Sequence, residues 1–229
     1  MIKSPIEMIE IVAPGLDHLL DKVVFVGGAV TSLYCDDPAA ERIRPTIDVD
    51  IIIEIYSNKE YNELEEQLRK MGFAHDIRPE APICRKIYNG ITVDVMPTDA
   101  SILGFTNKWY SEGIQRPDKI VLPSGIEISI LSLPYFIASK IEAFLNRGNN
   151  DYIFSNDMED IITVLDGRLQ LSDLNASDHI VKNYLKQQFK KMLNNIRFIE
   201  SIQGNIGYSS TNAPRAIRLI DFLKNFSSY

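Results

Sequence analysis

Two cysteines in 229 residues, Cys35 and Cys84, provide no disulfide framework and no paired zinc spacing. The three histidines, His18, His75 and His179, are scattered without ligand spacing, so a catalytic histidine is not indicated. No apolar run approaches a membrane span, and the first residues lack the apolar stretch of a secretory signal. The expectation is a cytoplasmic protein that meets no membrane. Glycine-rich signatures of the Walker and dinucleotide-binding kinds are missing too. With 24 basic against 31 acidic residues the net charge is −7, which does not advertise general nucleic-acid binding. That charge is uneven. Residues 180–229 hold eight basic and two acidic side chains, so the C-terminal part could face an anionic partner.

What is present is a 45% hydrophobic chain, long enough for one large domain or two small ones. It is organised around residues 23–55. An apolar run, Val23-Val24-Phe25-Val26, stops at Gly27-Gly28 and continues into Ala29-Val30-Thr31-Ser32. Further on, Thr46-Ile47-Asp48-Val49-Asp50-Ile51-Ile52-Ile53 embeds two carboxylates in β-branched residues. Such residues favour strands. Strand side chains alternate between faces, which puts Asp48 and Asp50 on one face and Val49 and Ile51 on the other. Two acids side by side in an apolar strand repel each other and lose hydration, and a divalent cation between them removes both costs. Mg²⁺ suits such oxygen ligands, with Mn²⁺ as the substitute. Asp94, inside Ile91-Thr92-Val93-Asp94-Val95, can join them if its strand lies alongside.

Gly27-Gly28 ends a strand and opens a helix, a corner whose exposed N–H groups attract phosphate and whose lack of Cβ lets phosphate approach. The Thr31 and Ser32 hydroxyls either touch that phosphate or bond the helix backbone. Arg42 and Arg44, in the polar loop 35–45, are either solvated or in contact with phosphate or substrate.

In order and type these residues resemble the nucleotidyltransferase superfamily related to DNA polymerase beta, whose signature is an apolar residue, Gly-Gly or Gly-Ser, then Asp-x-Asp, then a later strand acid. Arg44-Pro45-Thr46-Ile47-Asp48-Val49-Asp50 is similar to the Arg-x-Thr-x-Asp-h-Asp run of the AbiEii toxin group of minimal nucleotidyltransferases. Ala138-Ser139-Lys140-Ile141-Glu142-Ala143-Phe144, Arg147 and Asp157-Met158-Glu159-Asp160-Ile161 resemble that group's lysine-bearing and Asp-x-x-Asp helices. The likeness spans about residues 20–165. It implies an enzyme that moves a nucleoside monophosphate from a nucleoside triphosphate to an acceptor hydroxyl on RNA, such as tRNA, or on protein, with pyrophosphate leaving. Asp48 and Asp50 would hold the metal, Asp94 would complete a second metal position or act as base for the incoming hydroxyl, and an antitoxin partner would restrain the enzyme. Lys140 and Arg147 would meet the triphosphate, with Asp157 and Asp160 orienting them, although all four residues also read as ordinary helix-surface charges and a cap. The chain departs from the group's pattern in the Asp-, Pro- and Arg-rich loop before Asp48, and in lacking the Tyr or Leu often found between the paired helix acids. Two other readings stay open. One is a non-catalytic nucleotide- or partner-binding module on the same fold, and the other is a transferase acting on a small molecule such as an antibiotic.

The expected architecture is α+β, a mixed sheet flanked by helices and followed by a helical bundle. The boundary falls at 132/133, giving a catalytic half, 1–132, and a helical half, 133–229, that completes the active site. A helix over 5–20 starts at Ser4 and is interrupted at Pro14-Gly15. Another covers 58–71. Asn89-Gly90 joins a hairpin of residues 85–95. Asp99 reads as a helix cap rather than a ligand, and 119–131 as a second strand pair. Trp109 and Tyr110 either stack on a base or are aromatics of the core or its rim. Helices follow over 134–147, 156–165, 179–202 and 214–226, the third with an apolar stripe at Val181, Leu185, Phe189, Met192, Ile196 and Ile199. Lys182, Lys186 and Lys190 recur on one face of that helix, which is either solvated or a surface for RNA or a partner.

Overall fold

The computed structural model describes residues 3–40, 44–209 and 212–228, so Arg42 lies outside the described residues. Contacts divide the chain into two compact units. The first comprises Met1–Val30 and Pro45–Ser132, the second Thr31–Arg44 and Leu133–Tyr229. The sequence had placed Thr31–Arg44 in the first half. It clusters with the helical residues because Tyr34 packs on Phe136, with ring centroids 4.5 Å apart, and the Asp36 and Asp37 amides bond the Gly167 carbonyl.

The first unit opens with helix α1 (Pro5–Gly15). The Ser4 side chain accepts from the Glu7 amide and the Glu7 carboxylate accepts from the Ser4 amide, a reciprocal cap that satisfies two otherwise orphaned donors. Pro14 and Gly15 end the helix, and Asp17–Lys22 continues as a 3₁₀ turn rather than as more α-helix. Strand β1 (Val23–Val26) leads into a second 3₁₀ helix, Gly28–Tyr34. Strand β2 is Asp48–Ile53, helix α2 Asn58–Lys70, and short β3 Ala74–His75. The hairpin expected at Asn89-Gly90 is β4 (Arg85–Tyr88) and β5 (Ile91–Pro97), with Asn89 and Gly90 at φ +47° and +76° as the tight turn requires. Two short helices follow, α3 (Ala100–Leu103), capped by Asp99, and α4 (Tyr110–Gly113). Strands β6 (Asp118–Val121) and β7 (Glu127–Ile130) finish the unit.

Among the described residues these strands make one mixed sheet in the order β3-β4-β5-β2-β1-β7-β6, flanked by helices. β2 runs parallel to β5 and β1 parallel to β7, and the other neighbours are antiparallel. Val49, Phe25, Ile51, Ile52 and Val93 are fully buried, each contributing about 1.5–3 kcal/mol of apolar burial. The same strand leaves Asp48 and Asp50 only half-buried, because the alternating residues Val49 and Ile51 take the opposite, core-facing side. Trp109 is buried and belongs to the core.

The second unit contains α5 (Leu133–Arg147), α6 (Asn156–Asp166), α7 (Ser172–Ala176), α8 (His179–Leu193), α9 (Ile196–Ile206) and α10 (Ala213–Ser227). Phe136, Phe144, Phe189, Phe198 and Leu223 form its interior. One helix was expected over 179–202, and the structure has two. Asn194 ends α8, and the Asn195 side chain accepts from the Arg197 amide to start α9. The restart shifts the helical phase, so Ile196 is exposed and Phe198, Ile202 and Ile206 carry the buried stripe instead. No helix among the described residues is long and apolar enough to cross a membrane.

Candidate metal centre

The Asn-Gly turn fixes the register of β4 on β5, pairing Arg85 with Asp94 across the hairpin. On the other side of β5, the parallel pairing sets Asp94 directly opposite Asp50. Asp50 in turn faces Val26 of β1, the residue before Gly27-Gly28. Residues paired across strands share a sheet face. Asp50, Asp94 and Arg85 therefore stand in one transverse row, with Asp48 two residues back along β2. One ligand oxygen from each of Asp48, Asp50 and Asp94 lies within 4.8 Å of the others. The two strand acids and the later strand acid thus converge on one face of the sheet.

Each carboxylate has surroundings that orient it. The Thr46 hydroxyl donates to Asp48 Oδ1 at 2.8 Å. Asp94, buried to 8% exposure, accepts two parallel bonds from Arg85, Nε to Oδ1 at 2.8 Å and Nη2 to Oδ2 at 2.7 Å. The same Nη2 lies 3.6 Å from Asp48 Oδ2. Those bonds to Asp94 raise the Arg85 pKa above its already high value, so the guanidinium is a permanent charge beside the acids. The neighbouring thiol is inert. Burial pushes Cys84 up to about 11, with the Asp94 carboxylate adding to the effect.

Gly27 has a use that the phosphate reading did not anticipate. It sits at φ +75°, and a Cβ placed there would come 1.9 Å from Asp50 Oδ2. The glycine therefore leaves the space that the Asp50 carboxylate occupies. Gly28 begins the 3₁₀ helix, where an α-helix had been expected. Thr31 and Ser32 lie further along it. Both hydroxyl oxygens are enclosed and, among the described residues, without a hydrogen-bond partner.

In the second unit, Lys140, Arg147, Asp157, Asp160 and Arg44 form a charge cluster. Lys140, at 6% exposure, donates to Asp157 Oδ1 at 3.2 Å and to Asp160 Oδ2 at 2.6 Å. Arg147 holds Asp157 through two bonds of 2.9 Å. Arg44 reaches Asp160 Oδ2 at 3.5 Å and Glu159 Oε2 at 3.7 Å, so neither Arg44 nor Glu159 is simply a solvated charge. The seven-residue spacing of Lys140 and Arg147 and the i, i+3 spacing of the two acids bring these groups together. Lys182 and Lys186 also have partners within the protein, the Asn175 carbonyl and the Phe226 ring, which leaves Lys190 as the exposed member of that stripe.

Burial opposes ionisation of Asp157, but Arg147 and Lys140 together outweigh it and hold the carboxyl below the usual range. The folded state therefore binds fewer protons here than the unfolded chain. Stability from this carboxylate is present above the unfolded value, near pH 4, and is lost as pH falls through the lower folded value. Urea titrations between pH 6 and 3 should show a decline at the acid end, and Asp157→Asn should flatten that decline. An unchanged slope in the variant would refute this assignment.

The sequence reading missed Arg85. The signal was available, since a two-residue Asn-Gly turn pairs Tyr88 with Ile91 and, counting outwards, Arg85 with Asp94. No family model and no curated protein matches the chain.

Proposed function

We propose that the sheet unit is the catalytic part of a divalent-cation-dependent nucleotidyltransferase. The observation that carries this reading is the convergence of Asp48, Asp50 and Asp94 on one sheet face, with Gly27 shaped to make room for Asp50. An all-carboxylate oxygen set suits Mg²⁺ or Mn²⁺ and not the softer metals that prefer thiolate or imidazole. Asp48 and Asp50 would hold the cation and Asp94 would complete the set. Such a cation supplies charge neutralisation on the triphosphate and on the departing pyrophosphate. Thr46 fixes the Asp48 carboxylate through its hydroxyl. The Gly27 backbone lies beside Asp50, whose carboxylate takes the space that a Cβ would fill. In the reaction an acceptor hydroxyl gives its proton to a base, a role open to Asp94 as the alternative to metal ligand, its oxygen bonds to the α-phosphorus, the bond to the bridging oxygen breaks, and pyrophosphate leaves with that electron pair. The acceptor is a hydroxyl on RNA, such as tRNA, or on protein, and a protein partner of the antitoxin kind would restrain the activity.

The test uses purified protein with Mg²⁺ and each of the four α-labelled nucleoside triphosphates. Total RNA, tRNA and the protein itself serve as acceptors, alongside Asp48→Ala and Asp50→Ala. The expected result is label transferred by the natural protein and reduced to background in both variants. Metal-dependent nucleotide binding without transfer to any acceptor would leave a binding module. Transfer that survives both substitutions would refute the site.

A further inference from the structure

We infer that Arg85 is a built-in counter-cation that competes with a divalent metal for Asp94, so that the acid cluster is latched by the guanidinium until a metal displaces it. The inference rests on the metal reading of Asp48, Asp50 and Asp94.

Three observations support it. First, Arg85 meets Asp94 in the parallel fork geometry that engages both carboxylate oxygens, at 2.8 and 2.7 Å. A cation drawing on Asp94 must share or take those oxygens. Second, Arg85 Nη2 also lies 3.6 Å from Asp48 Oδ2, so one guanidinium addresses two of the three acids. It thereby offsets the repulsion between Asp48 and Asp94, the two acids it reaches. Third, the placement is enforced by the sheet. Arg85 and Asp94 are register partners in a hairpin whose turn permits no slippage without turning both side chains to the other face. A permanent positive charge beside a cation site lowers that site's affinity, both by repulsion and by occupying its ligands. Arg85 therefore sets a threshold. At low free metal the acids stay paired with arginine, and above it the metal takes them and the guanidinium is released.

The test is Mn²⁺ affinity, measured by calorimetry and by the paramagnetic signal of free Mn²⁺, for the natural protein, Arg85→Gln, Arg85→Lys and Asp50→Ala. Arg85→Gln should bind roughly ten- to a hundredfold more tightly than the natural protein, the range spanned by losing a charge-assisted hydrogen bond. Arg85→Lys keeps the charge but loses the fork, and should fall between the two. It also keeps the test decisive if the neutral variant folds poorly. Equal affinity in all Arg85 forms, with Asp50→Ala weaker, would overturn the latch and leave the metal site standing. Weaker binding in Arg85→Gln and Arg85→Lys would overturn it in favour of Arg85 as an organiser of the acids. Binding by none of the proteins would remove the metal reading and the latch together.

Discussion

Lys140→Met should destabilise the helical unit by about 3–5 kcal/mol, the usual cost of removing one partner from a buried ion pair. The ammonium at this position answers two carboxylates, Asp157 at 3.2 Å and Asp160 at 2.6 Å, and both acids are almost completely buried. Methionine fills a similar volume, so little of the loss would come from packing. Arg147 still holds Asp157, and Arg44 is 3.5 Å from Asp160, which places the expected loss towards the lower end of that range. The pH dependence separates an electrostatic cause from a packing one. In the variant Asp157 loses one of the two cations that hold its carboxyl down against burial, so it ionises less readily and protonating it relieves part of the cost of buried charge. The difference between natural protein and variant should therefore shrink as pH falls from 7 towards 4. A constant difference across that range would show that Lys140 acts through its volume. Adding Asp160→Asn to Lys140→Met should recover part of the loss, because the second change removes the charge that the first left unpaired. The comparison also bears on the expectation that Lys140 meets a triphosphate. A variant that folds fully and loses only nucleotide affinity would favour that expectation over a structural counter-ion.

Much of the fold was legible because local chemistry and tertiary need agreed. Ser4 and Glu7 cap α1, Asn89-Gly90 turns the β4–β5 hairpin, and Asp99 caps α3, each by a mechanism confined to four or fewer residues. The shared face of Asp48 and Asp50 follows from strand period alone. Other features depend on facts that local pattern does not carry. That Asp94 lies opposite Asp50 requires β2 and β5 to be parallel neighbours, a pairing between strands separated by α2, β3 and β4. The break between α8 and α9 was hidden because the apolar spacing runs on through Ile196 and Ile199. Only the tendency of Asn194-Asn195 to bond nearby backbone marked it, and competition of that kind is weak in sequence. Thr31–Arg44 joins the helical unit through Tyr34 and the carbonyl of Gly167, contacts with residues more than a hundred positions away. The role of Gly27 was half legible. Its position after an apolar strand marked a special backbone, but its service to Asp50 depends on which strand lies beside β1.

Gly27→Ala tests that service directly. Two costs are expected. The backbone at φ +75° is a left-handed conformation that costs an alanine about 1–2 kcal/mol. The new methyl would also stand 1.9 Å from Asp50 Oδ2 and 2.7 Å from its Cγ, which no rotamer adjustment of alanine can relieve. The Asp50 side chain must therefore leave its place in the row, at a further cost of about 1–3 kcal/mol typical of overpacking. The two costs can be separated by a double-mutant cycle. In an Asp50→Ala background the carboxylate is gone, and the remaining Cβ contact at 3.0 Å is relieved by a small shift. Gly27→Ala should then cost only the backbone term. Urea denaturation of the four proteins reads the coupling, and Mn²⁺ titration reads its consequence for the acid cluster. If Gly27 serves Asp50, Gly27→Ala alone should weaken Mn²⁺ binding about as much as Asp50→Ala does, and adding it to Asp50→Ala should weaken binding no further. Equal stability losses in both backgrounds would reduce Gly27 to a turn residue. In that case the approach of Asp50 to β1 would be tolerated by the glycine rather than dependent on it.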